Sequence, residues 1–216
     1  MSNRPHRNRV SSESLSLIGI PRKFHSTTLA DFNTFNNAGL KKVKKFVAEY
    51  VQALCDKELQ DVGGIYLYGS NGVGKTMLSC IIMRQAYICR YSARRTTFAE
   101  YISKYTLDWS ARSTDEHEAA EDALYSQYKA VEFLVLEEVG KEVDSKISAP
   151  ILEDLLRYRE DKGYVTIICS NLSPKVIKDR YGESVYSLLQ GNMTPIKIEG
   201  SDNRKDYFNR KEAHNE

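Results

Sequence analysis

A glycine-rich turn between two apolar segments, YLYGSNGVGKTML over residues 66–78, constrains the fold more than any other stretch. Gly69, Gly74, Lys75 and Thr76 satisfy G-x-x-x-x-G-K-[ST]. Glycines let the backbone curl until successive N–H groups point inward at phosphate oxygens. The N-terminus of the following helix adds partial positive charge. The pattern therefore predicts a strand, a phosphate-binding turn and a helix in immediate succession. The cradle comprises Gly69, Ser70, Asn71, Gly72, Val73, Gly74, Lys75, Thr76 and Met77. Lys75 is expected to reach the β- and γ-phosphates of ATP, and the Thr76 hydroxyl to hold Mg²⁺.

A phosphate turn of this kind needs a second, acidic strand end to position magnesium and water. FLVLEEV supplies it, with four apolar residues, Phe133 to Leu136, ahead of Glu137 and Glu138. Glu137 is the expected metal-orienting acid and Glu138 the residue that polarises the attacking water. The first acid is more commonly aspartate, so Glu137 brings one extra carbon of reach. TIICSN ends another apolar strand, and its Asn171 suits a neutral contact to the γ-phosphate or the lytic water.

Strand and helix patterns alternate from residue 64 onward. GIYLYG, VEFLVLEEVG, YVTIICSN and TPIKIEG read as strands, and RTTFAEYI as a second strand entering a helix. The segments between them read as helices: 75 to about 90, DEHEAAEDALYSQYKA, and ISAPILEDLLRYREDKG with Gly163 as its stop. SPKVIKDRYG opens the last helix on a serine–proline pair and ESVYSLLQ continues it. Five strands alternating with helices predict a three-layer α/β fold with a five-stranded parallel sheet. Ahead of it, Val43, Phe46, Val47, Tyr50, Val51 and Leu54 repeat at helical spacing, with lysines opposite.

Residues 1–25 carry five basic side chains, Arg4, Arg7, Arg9, Arg22 and Lys23, against the single acid Glu13. A stretch this short predicts a flexible basic arm, followed by a core over 26–200 and a tail over 201–216. The four cysteines, Cys55, Cys80, Cys89 and Cys169, show no metal-binding spacing and read as free core residues. A net charge of +2 permits nucleic acid without demanding it. No apolar run approaches the roughly 20 residues that cross a bilayer, so no membrane partner and a cytoplasmic location are expected.

Taken in order, these residues resemble the DnaC-type helicase loaders, a branch of the AAA+ ATPases (ASCE type), and their relative, the IstB transposition ATPase. The similarity spans about residues 20 to 210. IPRKFHSTTLADF is similar to the segment entering the ATPase core, GSNGVGKTML to the P-loop, FLVLEEVGKE to the acidic strand, and TIICSNLSP to the family's T-I-x-x-S/T-N-L. IEGSDNRKD is similar to the segment bearing a sensor arginine, which points to Arg204. In that family, arginines after the Y-G-E stretch reach a neighbouring subunit's nucleotide. Ser184, Leu188 and Gln190 occupy that stretch here, leaving Arg159 and Arg180 as the substitutes to test. Family members grip the helicase with a separate N-terminal domain, whereas about 20 residues precede the matched region here.

The resemblance implies an ATP-dependent loader that delivers a replicative hexameric helicase of the DnaB type onto single-stranded DNA. It also implies self-association in the ATP-bound form, and the missing arginines predict slow turnover by the protein alone. Leu15, Leu17, Ile18 and Ile20 are the expected anchors if the arm folds on a partner. YISKYTLDWSAR offers aromatic and basic residues for stacking on unpaired bases. Two alternatives stay open: an IstB-like helper acting on duplex DNA, and an ATP-binding scaffold with little hydrolysis.

Overall fold

The computed structural model describes residues 10–56, 59–107, 114–143 and 145–200. In chain order the elements are α1 (Ser12–Leu17), α2 (Ala38–Asp56), α3 (Leu59–Val62), β1 (Gly64–Tyr68), α4 (Lys75–Ile88), β2 (Ala93–Thr97) and α5 (Phe98–Leu107). There follow α6 (Thr114–Leu124), running into a π turn over Tyr125–Lys129, then β3 (Phe133–Val139), α7 (Ser145–Asp161), β4 (Val165–Ser170), α8 (Pro174–Asn192) and β5 (Met193–Lys197). The strands form one parallel sheet in the order β2-β3-β4-β1-β5.

Successive strand residues face opposite sides of a sheet, and here both sides are covered. Ile65 and Leu67 of β1, Phe133 and Val135 of β3, and Ile167 of β4 pack with α2 and α4. Tyr66, Leu134, Leu136 and Ile168 turn the other way, against α5, α7 and α8. Burial on both faces explains the unbroken apolar runs of β3 and β4. All the expected strands form, and the amphipathic pattern at 43–54 becomes α2 with Leu40, Val43, Val47, Tyr50 and Leu54 buried.

The N-terminal segment departs from the expectation of a flexible arm. Residues 10–25 fold onto the core, while residues 1–9 lie outside the described part. Leu15, Ile18 and Ile20 are buried in the same core as α2 and α4, so they are not available as partner anchors; Leu17 alone of the four is exposed. The cause is the bare edge of β2. Unpaired backbone groups on an edge strand need a partner, and the Arg95 N–H donates to the Ile18 carbonyl at 2.8 Å. The chain passes so close that a side chain on Gly19 (φ 95°) would meet the Arg95 carbonyl. At the opposite edge, β5 carries Pro195, which cannot donate to a further strand.

Three further readings change. Cys55 at the end of α2 and Cys89 after α4 are disulfide-bonded, whereas Cys80 and Cys169 are free and buried. Burial pushes the Cys80 thiol up to about 12, leaving it unreactive near neutral pH. Helix α8 is not continuous: Gly182 (φ 90°, ψ 173°) breaks it into two segments. Tyr101, a candidate for stacking on bases, is wholly buried, and Lys104 donates to the Tyr128 hydroxyl at 2.6 Å; Trp109 lies outside the described residues.

Arg159 on α7 is also wholly buried. Its guanidinium donates to the carbonyls of Tyr128, Lys129, Val131 and Val165 and to the Thr166 hydroxyl. It therefore stitches the π turn to the starts of β3 and β4 and cannot reach a neighbouring subunit, which removes it as a substitute finger. Hydrogen bonds to a buried charge are each worth about 1.5–3 kcal/mol, and unpaired carbonyls are costly. Arg159→Met is expected to lower unfolding free energy by about 3 kcal/mol or more, seen as a lower urea midpoint; an unchanged midpoint would contradict this role.

Candidate nucleotide site

The carboxyl ends of β1, β3 and β4 open onto one cleft of about 290 Å³. In open α/β sheets this is where ligands bind. Six cradle residues, Asn71, Gly72, Gly74, Lys75, Thr76 and Met77, line it. Val73 turns into the core, Ser70 is exposed, and Gly69 lies beneath against the Ile198 carbonyl, which any side chain would strike. Gly74 precedes α4 in the left-handed region (φ 106°), the conformation that starts the helix directly under the turn.

Two polar bridges draw the strand ends together. The Lys75 ammonium donates to the carbonyls of Gly69 and Ser70, each at 2.7 Å, and to Asn171 Oδ1 at 2.8 Å. Asn171 in turn donates through Nδ2 to Asn71 Oδ1 at 2.9 Å. On the deeper side, Thr76 Oγ1 donates to Glu137 Oε2 at 2.9 Å. The first bridge joins the turn to β4 and the second joins it to β3.

Glu137 and Glu138 are adjacent in sequence but differ in surroundings. The β3–β4 ladder slips between Leu136 and Val139, where one extra residue bulges out of β3. Glu137 is buried, and its Oε1 accepts from Ser79 Oγ at 2.7 Å and Arg95 Nε at 3.4 Å. Glu138 takes a left-handed backbone (φ 62°) and projects outward, where the Lys141 ammonium pairs with Oε1 at 2.6 Å. Both acids line the cleft, as does Lys141.

Among these donors, the Thr76 hydroxyl and the Glu137 carboxylate are hard oxygens side by side at the deep end of the cleft. That chemistry fits Mg²⁺, which takes one or two protein oxygens and fills its shell with phosphate and water. The Glu137 carboxylate spans Thr76, Ser79 and Arg95.

Two partners of Glu137 behind the cleft, Ser79 and Arg95, and two residues of its lining, Lys23 and Phe24, were not foreseen from sequence. Ser79 follows Thr76 by three positions, the spacing that puts two side chains on one helix face. Arg95 carries no local signal, since its partner arrives through the sheet. Lys23 and Phe24 line the cleft because the N-terminal segment folds back over it. Arg180, the second substitute finger, pairs within its own chain with Glu142 at 3.0 Å. Arg204 lies outside the described residues. Among the described residues no helix is long and apolar enough to cross a membrane.

No family model matches the chain. The replicative helicase loader DnaI of Bacillus subtilis (strain 168) is 25% identical over 119 residues, a stretch covering 55% of this chain and 36% of DnaI. The matched stretch thus spans about a third of that relative's length. Among solved structures, the DnaC helicase loader superposes with a TM-score of 0.66 at 19% identity, over 83% of this chain and all of that one. A DnaI structure gives 0.63 at 21% identity, over 85% of this chain and 94% of that one. The initiator DnaA bound to AMPPCP and single-stranded DNA gives 0.66 at 18% identity, over 85% of this chain and 52% of that one. The chain is therefore similar in sequence to the helicase loader DnaI and in fold to the DnaC, DnaI and DnaA structures, and that fold is a three-layer α/β one built on a five-stranded parallel sheet.

Proposed function

We propose that this chain is an ATP-hydrolysing loader that delivers a replicative hexameric helicase of the DnaB type onto single-stranded DNA. The observation that carries the reading is the convergence of three strand ends on one cleft, through the Thr76–Glu137 and Lys75–Asn171 bridges. The sequence likeness to DnaI and the fold shared with DnaC support the choice of partner.

In this reading Lys75 leaves its carbonyl partners for the β- and γ-phosphates, and Asn171 meets the γ-phosphate from the β4 side. Thr76 and Glu137 would hold Mg²⁺, which would supply neutralising charge to the phosphate oxygens. Glu138, outside that pair, orients the attacking water and accepts its proton. Arg204 would sense the nucleotide from the tail. The γ-phosphate then biases one conformation and its loss another, so that self-association and grip on helicase and DNA weaken after hydrolysis.

The test is co-purification with a hexameric replicative helicase, with a non-hydrolysable ATP analogue and with ADP, alongside binding to single- and double-stranded oligonucleotides. The reading expects analogue-dependent capture of the helicase and preference for single strands. Absence of capture in both nucleotide states would contradict it. Tighter, steeply salt-dependent binding to duplex would favour the transposition-helper alternative.

A further inference from the structure

Glu138 holds a left-handed backbone without being glycine, a conformation that persists only where its surroundings over-determine it. The turn after it supplies the constraint. The Lys141 N–H donates to the Glu138 carbonyl at 3.1 Å, and Ser170 Oγ donates to the Val139 carbonyl at 2.6 Å. Gly140 (φ 98°) takes a left-handed backbone and packs closely on the Leu172 side chain, and its N–H donates to Glu142 Oε2 at 2.9 Å.

Glu142 lies beside the cleft rather than in its lining, yet it is buried. Its second oxygen, Oε1, accepts from Arg180 Nε at 3.2 Å, Arg180 Nη2 at 3.0 Å and the Tyr181 hydroxyl. Arg180 Nη2 also donates to the Glu142 backbone carbonyl at 2.6 Å. Burial, then the carboxylate itself, pushes the Tyr181 phenol well above its usual value, so it remains a donor. One carboxylate thus ties the turn behind Glu138 to the first segment of α8, immediately ahead of the break at Gly182.

We propose that Glu142, clamped by Arg180 and Tyr181, is a positioning residue for Glu138. It fixes the turn that aims the Glu138 carboxylate at the attacking water, and it links that turn to α8. The proposal rests on the ATPase reading above. Arg180 serves the nucleotide site of its own chain rather than that of a neighbour. A misplacement of about 1 Å in a reacting group can cost roughly 100-fold in rate, which is the scale on which a loosened turn would act.

Glu142→Gln keeps the volume of the side chain and removes the charge that Arg180 grips. Single-turnover hydrolysis is expected to slow by about 10- to 100-fold, while affinity for a fluorescent non-hydrolysable ATP analogue changes by less than about twofold. In a Glu138→Gln background the same change should add less than about twofold, because groups acting through one another are not additive. A purely structural role gives multiplied losses in the double variant, and that result, or unchanged turnover in Glu142→Gln, overturns the proposal. If Glu142→Gln does not fold, Arg180→Lys carries the test: it keeps the charge but not the two-pronged grip, and it should slow turnover with analogue affinity preserved. Turnover equal to wild type in Arg180→Lys would overturn the proposal as well. Absence of hydrolysis by the wild-type chain would overturn the ATPase reading and this role together; normal wild-type turnover with insensitive variants overturns this role alone.

Discussion

Glu138→Gln is expected to keep ATP binding and to slow single-turnover hydrolysis by about 100-fold or more, the scale of a lost general base. Glutamine has the shape of glutamate but cannot take a proton from water. The position is tolerant of the change: Glu138 lines the cleft beside the β3 bulge, and its ion pair with Lys141 is half exposed. Exposed pairs of this kind contribute about 0–1 kcal/mol, so the fold should survive. A rapid-quench assay on enzyme in excess of ATP isolates the chemical step. Wild-type rates in that assay would remove Glu138 from the role and leave the scaffold alternative the better reading.

Lys75→Ala is expected to weaken ATP binding by about 100-fold or more, by a different route. Charge-assisted hydrogen bonds contribute about 1.5–3 kcal/mol each, and every 1.4 kcal/mol is about tenfold in affinity. An ammonium that meets two phosphates therefore accounts for two decades or more. The substitution also cuts the bridge to Asn171, so the carboxyl ends of β1 and β4 lose a tie. Titration with a fluorescent ATP analogue checks the prediction, and affinity within about threefold of wild type would contradict it.

What could be read from the sequence follows from how local each signal is. The turn at 69–76 and the strand at 133–139 announce themselves because glycine spacing and apolar runs are set by neighbours in the chain. The bulge that separates Glu137 from Glu138 is not local. It arises in the ladder with β4, and two adjacent acids look alike until that register is known. The burial of Leu15, Ile18 and Ile20 likewise depends on an open β2 edge far along the chain, so a short basic stretch reads as an arm. Arg159 shows the same limit, since an arginine on an amphipathic helix reads as surface. Only the assembled sheet surrounds it with carbonyl oxygens.

The paired cysteines and Arg180 carry a related lesson. Cys55 and Cys89 stand 34 positions apart and meet through the packing of α2 on α4. Arg180 sits next to the very tyrosine that shares its carboxylate partner, yet its meaning comes from Glu142, 38 positions upstream. Both belong to contacts between elements, for which pattern and spacing within one element hold no information.

Calorimetric titration of the folded wild-type chain with ATP, with and without magnesium, tests the central claim most directly. The account predicts uptake of one nucleotide per chain, tighter with magnesium because Thr76 and Glu137 can then engage it. No heat of binding and no competition with a fluorescent analogue, from protein shown to be folded, would contradict it.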